Sequence, residues 1–137
     1  MAVCIKTGWI VWINGPFPAG AWPDLNIACL SLIHFLDEGE YYVADGGYAD
    51  GNQWSSTPNG LNDYEQRTKA LARARHETVN RRFKVFGCLS QRYRHHQLEL
   101  HGSIFHAVAN IVQLTILFGH PLFDIEYNEA DFDGTHE

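Results

Sequence analysis

Residues 40 to 48 read EYYVADGGY: Tyr41 to Ala44 suit a short strand, Asp45 ends it, and Gly46 and Gly47 follow. An apolar run of this length with β-rich content predicts a strand in a sheet interior. In open α/β sheets, ligand sites gather at the carboxyl ends of the strands. Two glycines there let the backbone turn sharply and leave room beside the acid. Taken alone, Asp45 has three roles open to it: metal ligand, general base, or a turn-former capping its own loop.

Upstream, Val3 to Ile5 and Trp9 to Ile13 are β-rich and flank Lys6-Thr7-Gly8, which predicts an antiparallel hairpin. The stretch NGPFPAGAWPD then forbids regular structure until Pro23 and Asp24, residues suited to the start of a helix. Leu25, Ala28, Cys29, Leu32, Ile33 and Leu36 repeat at helical spacing and predict one amphipathic helix of about 13 residues. Downstream of Asp45, QWSSTP offers a further short extended stretch. A long helix follows, with Ala72, Val79, Phe83 and Phe86 as its apolar seam and Glu77 on another face among Arg73, Asn80, Arg81 and Lys84.

The last predicted helix runs from about Leu98 to Phe118 and stops at Gly119, with Pro121 beyond. Its apolar run, Ile104 to Phe118, is broken by His106, Asn110 and Gln113 and falls short of the roughly 20 residues of a membrane span, so a buried core helix is expected. The final stretch, DIEYNEADFDGTHE, holds six acids and no core pattern and reads as a loosely attached tail. Hairpin, helix, returning strand and two further helices predict an α/β fold, a mixed sheet flanked by helices.

At 137 residues the chain suits one domain with one core. Hydrophobic content of 45% with 19% charged residues excludes a disordered or coiled-coil class. Cys4, Cys29 and Cys88 are too widely spaced for a disulfide framework or zinc knuckle, and mostly buried, reduced thiols are expected. The first nine residues lack the pattern of a secretory leader, which predicts an intracellular protein with no membrane partner.

Charge is polarised along the chain. Nine of the ten basic residues (Arg67, Lys69, Arg73, Arg75, Arg81, Arg82, Lys84, Arg92 and Arg94) lie between positions 67 and 94, where Glu77 is the one acid. Such a segment predicts a surface for a polyanion; a solvated helix face is the plainer alternative. For Glu77 the alternatives are a metal ligand brought near Asp45 and a rung in an Arg73–Glu77–Arg81 ladder. Two nearby carboxylates repel unless a cation sits between them, and Mg²⁺ suits such sparse oxygen ligation. The histidines of RYRHHQLELH (His95, His96, His101) lack a fixed metal spacing and are weak grounds for zinc.

TGWIVWINGPFPAGAWPD (7–24), VADGGY (43–48) and RARHETVNRRFKVFGCL (73–89) together resemble the later part of the DDE-type transposases of the PIF/Harbinger group, over roughly positions 3 to 120. The resemblance implies an RNase H-like fold and a carboxylate triad that holds two Mg²⁺ or Mn²⁺ ions to cut and join DNA. Asp45 matches the second acid and Glu77 the third. Asp24 matches an acid of structural role. The strand carrying the family's first acid has no counterpart here, and Asp133 stands in the wrong context to replace it. The expectation is therefore a partial catalytic domain over 1–120, truncated at its N-terminus and inactive as this chain, with a flexible acidic tail over 121–137. DNA is the implied partner, the nine basic residues its contacts, and a nuclear or other intracellular site the implied location. A second transposon-encoded DNA-binding protein and a homodimer are further partners compatible with the resemblance. The rival expectation is a domesticated, non-catalytic nucleic-acid-binding or protein-interaction module.

Overall fold

The computed structural model describes residues 1–15, 17, 24–38, 40, 42–43, 55–56, 63–94 and 96–125. The chain opens with β1 (Ala2–Val3) and β2 (Ile10–Trp12), antiparallel, with Ala2 opposite Trp12, Val3 opposite Ile10 and an irregularity between the two pairs. The predicted hairpin is present, but its connection is longer than Lys6-Thr7-Gly8. Cys4 and Trp9 close it through a backbone bond of 2.9 Å, and Gly8 donates to the Cys4 carbonyl at 2.9 Å. Gly8 has φ +73°, and a Cβ there would lie 3.0 Å from Leu122 Cδ1, so the turn needs glycine on two counts.

The helix expected over about 13 residues forms in two pieces. An α-helix, α1 (Asp24–Leu30), gives way at Ser31 to a 3-10 turn over Leu32–Phe35. Ser31 has φ −138° and ψ −57°, outside helical values, and its hydroxyl accepts a 3.2 Å bond from Trp12 Nε1 of β2. The link to β2 accompanies the break, and Ala28 and Leu32 remain buried on either side of it.

β3 (Tyr42–Val43) pairs in parallel with β4 (Ser55–Ser56), in the places where a strand and a short extended stretch were expected. The strands do not merge into the single mixed sheet the sequence suggested. Among the described residues they form two separate two-stranded sheets, β1–β2 and β3–β4. Parallel pairing of β3 and β4 across a long connection still marks the chain as α/β.

Helices predominate among the described residues: α2 (Asp63–Lys84), α3 (Gly87–Ser90) and α4 (Leu98–Phe118) follow. The core lies where α2, α4 and the hairpin meet. Val79 and Phe83 of α2 pack with Val108, Ala109, Val112 and Ile116 of α4, and Leu122 closes the cluster. The rings of Phe83 and Phe105 lie 5.4 Å apart, tilted at 44°. Burying Val79 completely and Phe83 to 5% exposure removes apolar surface worth roughly 1.5–3 kcal/mol per side chain.

α4 buries one face only. Ile111, Leu114 and Phe118 are exposed, the last at 82%, so the expectation of a buried core helix holds for half its circumference. Among the described residues α4 alone is long and apolar enough to cross a membrane by length and composition. Its C-terminal end is closed by bonds from Gly119 and His120 to the Thr115 carbonyl, at 3.2 and 2.7 Å. Just past Pro121, Leu122 is buried in the core cluster and Phe123 lies against Arg75 of α2. Cys4 and Cys29 are half-buried as reduced thiols, whereas Cys88 is exposed, contrary to expectation, because the short α3 lies at the surface.

Candidate functional site

α2 is the element that carries the predicted chemistry, and its two faces differ. Val79 and Phe83 point into the core. Glu77, two residues from Val79, is turned by about 200° at 100° per residue and stands nearly opposite. Arg73, Glu77, Arg81 and Lys84, at spacings of four, four and three, share that outer face, and all four are exposed. No hydrogen bond or ion pair holds the Glu77 carboxylate among the described residues, so the Arg73–Glu77–Arg81 ladder is not formed. Its oxygens are open to a hard cation, as a ligand of Mg²⁺ would need to be.

Asp45, the other predicted ligand, lies outside the described residues; β3 ends two positions before it. The acid thus follows the carboxyl end of a parallel strand in sequence. Among the described residues no three His, Cys, Asp or Glu side chains gather at one point. Asp24 is the first residue of α1.

The nine basic residues separate into groups. Arg67, Arg73, Arg81, Lys84, Arg92 and Arg94 are exposed. Arg82 is half-buried and donates to the carbonyls of His120 at 2.6 Å and Pro121 at 3.5 Å, tying α2 to the chain after α4. Lys69 and Arg75 are buried, at 4% and 3% exposure. Arg75 donates through Nη1 to the Ile5 carbonyl and through Nη2 to that of Phe123, while its Nε is buried without a partner. Burial lowers the Arg75 pKa from its ordinary value, and the nearby Asp124 carboxylate and Cys4 partly offset this.

Cys4 sits at the same junction. Burial works to raise its thiol pKa, but bonds from the Thr7 hydroxyl and from the Thr7 and Lys6 backbone, with the Arg75 charge, outweigh it and hold the thiol below its ordinary value. On the other side of the core, Ile10 N donates to Gln113 Oε1 at 2.7 Å, which fastens the outer edge of β2 to α4. A shallow groove of about 160 Å³ lies there, lined by Ile10 to Ile13 with Ala109, Asn110 and Gln113. His76, between the seam residues of α2, lies 3.3 Å from the Met1 carbonyl and 3.4 Å from Asn80 Nδ2.

Sequence reasoning missed the clamp of Arg75 and the fastening by Gln113, since nothing in composition distinguishes a buried arginine from its exposed neighbours in a basic run. The sequence model of the DDE superfamily endonucleases matches residues 1–113, a span that holds both Asp45 and Glu77. The chain belongs to this family. No curated protein and no solved structure matches it. DDE endonucleases generally use divalent metal ions and act on DNA, so a nuclease or transposase type of chemistry is the family's own.

Proposed function

We propose that this DDE family chain belongs to a metal-dependent DNA-cutting and strand-transfer domain of RNase H-like type, in which Asp45 and Glu77 are carboxylate ligands for Mg²⁺ or Mn²⁺. The observation that carries the reading is the family match, which spans both acids in a chain whose Glu77 is exposed and has no partner among the described residues. The antiparallel hairpin, the parallel strand pair and the helices make the chain α/β, the broad class to which an RNase H-like fold belongs. When bound, a pair of divalent ions in such a site activates a water or 3′-hydroxyl and stabilises the leaving oxygen.

The chain's own residues would act around that chemistry. Glu77 supplies a hard oxygen from a rigid helix, and Asp45 one from a turn that two glycines leave open. Arg67, Arg73, Arg81, Lys84, Arg92 and Arg94 would contact phosphates and position the duplex, giving affinity that falls with salt and depends little on sequence. Lys69 and Arg75 lie inside the fold and leave the surface contacts to these six. Removing either acid should lower the cleavage rate by at least the roughly 10²- to 10³-fold that a single electrostatic group is worth.

The second reading, a non-catalytic DNA-binding module, draws on the exposed cations alone, because they hold phosphate with or without a metal. A Mn²⁺ titration separates the two. The nuclease reading expects binding in the wild type, with large losses in Asp45→Asn and in Glu77→Gln. Equal Mn²⁺ affinity in all three proteins, with DNA affinity intact, would leave only the binding module.

A further inference from the structure

Two polar side chains of α2 beside Glu77, His76 and Asn80, have no part in the chemistry above. Both are half-buried, on the shoulder between the core face of the helix and its exposed basic face. His76 Nε2 lies 3.3 Å from the carbonyl of Met1, next to β1. A carbonyl can only accept, so Nε2 carries the ring proton. Nδ1 of the neutral ring is then an acceptor, and Asn80 Nδ2, 3.4 Å from it, is the donor. One backbone contact thus fixes the tautomer of His76, and the tautomer fixes which way the Asn80 amide faces. Asn80 Oδ1 is turned from the ring and accepts no hydrogen bond among the described residues.

Helix geometry sets where that oxygen can act. Taking His76 as zero, Asn80 lies at about 40° and Glu77 at about 100° around α2, so Asn80 stands between the other two. Asn80 follows Glu77 by three residues, a spacing that brings Cβ atoms within roughly 5–6 Å. An amide held by His76 on one side therefore offers its oxygen on the side of Glu77. In helical carboxylate sites a Glu and a second ligand at this same i, i+3 spacing share one metal ion.

We propose that Asn80 Oδ1 is a second ligand, from the same helix, for the divalent ion assigned to Glu77, and that His76 is the residue that positions it. The inference rests on the Glu77 reading above and adds a donor to it. Mg²⁺ and Mn²⁺ take carbonyl oxygens along with carboxylates and water. Arg73, Arg81 and Lys84 are exposed on the same face and oppose a cation there, so a lone carboxylate is a weak holder. An oxygen already oriented before the ion arrives strengthens the site with little further ordering on binding.

Mn²⁺ alone, titrated into the full chain without DNA and followed by the EPR signal of the free ion, tests this. Asn80→Ala should weaken Mn²⁺ binding by about tenfold or more, the scale of effect of residues that support a metal site. Asn80→Asp cannot donate to His76 Nδ1 but keeps an oxygen, and it should bind at least as tightly as the wild type. His76→Leu should weaken binding severalfold in the wild type and have little effect once Asn80 is alanine, because its contribution passes through that amide. Circular dichroism on each variant checks that α2 is retained. An Asn80 that only satisfies His76 would give an Asp variant as weak as the Ala variant, or two changes that add strictly, and either result overturns the proposal. So would wild-type affinity in Asn80→Ala while Glu77→Gln loses the ion, an outcome that leaves Glu77 as a ligand. Undiminished binding in Glu77→Gln would remove that reading and this inference with it.

Discussion

The guanidinium of Arg75 lies 5.6 Å from the centre of the Phe123 ring and donates to the carbonyl of the same residue. Its other terminal nitrogen reaches the Ile5 carbonyl, so one side chain of α2 holds the opening hairpin and the chain beyond α4 together. Arg75→Ala should destabilise the fold by about 3 kcal/mol, since two carbonyls lose a charged donor and a buried volume empties. Lysine cannot span both carbonyls with a planar fork, so Arg75→Lys should recover only part of the loss. Urea denaturation of the three proteins gives the measurement; unchanged midpoints would remove the clamp.

On the opposite face of the same helix the expectation reverses. Arg73→Ala with Arg81→Ala should leave stability within about 0.5 kcal/mol, because both side chains are exposed. Duplex affinity should fall, and the slope of log affinity against log salt should flatten by about 2 if each arginine neutralises one phosphate. A salt slope that matches the wild type would show that this stripe does not touch the backbone of DNA.

Metal linkage gives a readout independent of cleavage. If Glu77 ligates the ion, Mn²⁺ at a hundred times its dissociation constant should stabilise the wild type by about 2.7 kcal/mol. The metal-free Glu77→Gln protein should match the wild type in stability, its carboxylate having no partner to lose among the described residues, and should gain little from Mn²⁺. Equal thermal shifts in both proteins would exclude Glu77 as a ligand.

What could be read in advance divides along physical lines. The ends of α4 were legible because an apolar run with helical spacing met Gly119 and Pro121, and local chain chemistry settles such boundaries. Half of the α2 seam was legible for the same reason: Val79 and Phe83, one helical turn apart, are both buried, whereas Ala72 is half-buried and Phe86 lies beyond Lys84, where α2 ends. Ser31 gave no warning of the break after α1, where the contact is with Trp12, 19 residues away. Arg75 and Lys69 read as surface because a run of cations has no internal mark for the member that turns inward. α4 erred in the other direction, as an apolar run does not say which of its faces has a partner. Of the two acids, Glu77 was placed on the exposed basic face that its spacing implied, while Asp45 lies outside the described residues.

The hairpin turn tests the tertiary contact of a single glycine. Gly8→Ala forces a side chain into positive φ and places its Cβ 3.0 Å from Leu122 Cδ1, a core residue with little room to move. A loss of about 1–3 kcal/mol is expected from strain and contact together. Leu122→Ala in the same background relieves the contact, so the two changes should couple favourably in a double-mutant cycle. Strict additivity would locate the cost in the backbone alone.

Cys4 should make stability depend on pH in a definite direction. Its thiol pKa is held below the ordinary value in the folded state, mainly against the opposing effect of burial, by the Thr7 and Lys6 donors and Arg75. Between the lowered folded value and the unfolded value near about 8.5, the unfolded chain binds more protons, so stability rises with pH across that window. The contribution is complete above the unfolded value and is lost as pH falls through the folded one. Denaturation midpoints in reducing buffer, followed upward from neutral pH, should therefore rise in the wild type relative to Cys4→Ser, and the same thiol should be alkylated faster near neutrality than an unperturbed cysteine. Parallel profiles for the two proteins would mean that the donors around Cys4 do not stabilise its thiolate.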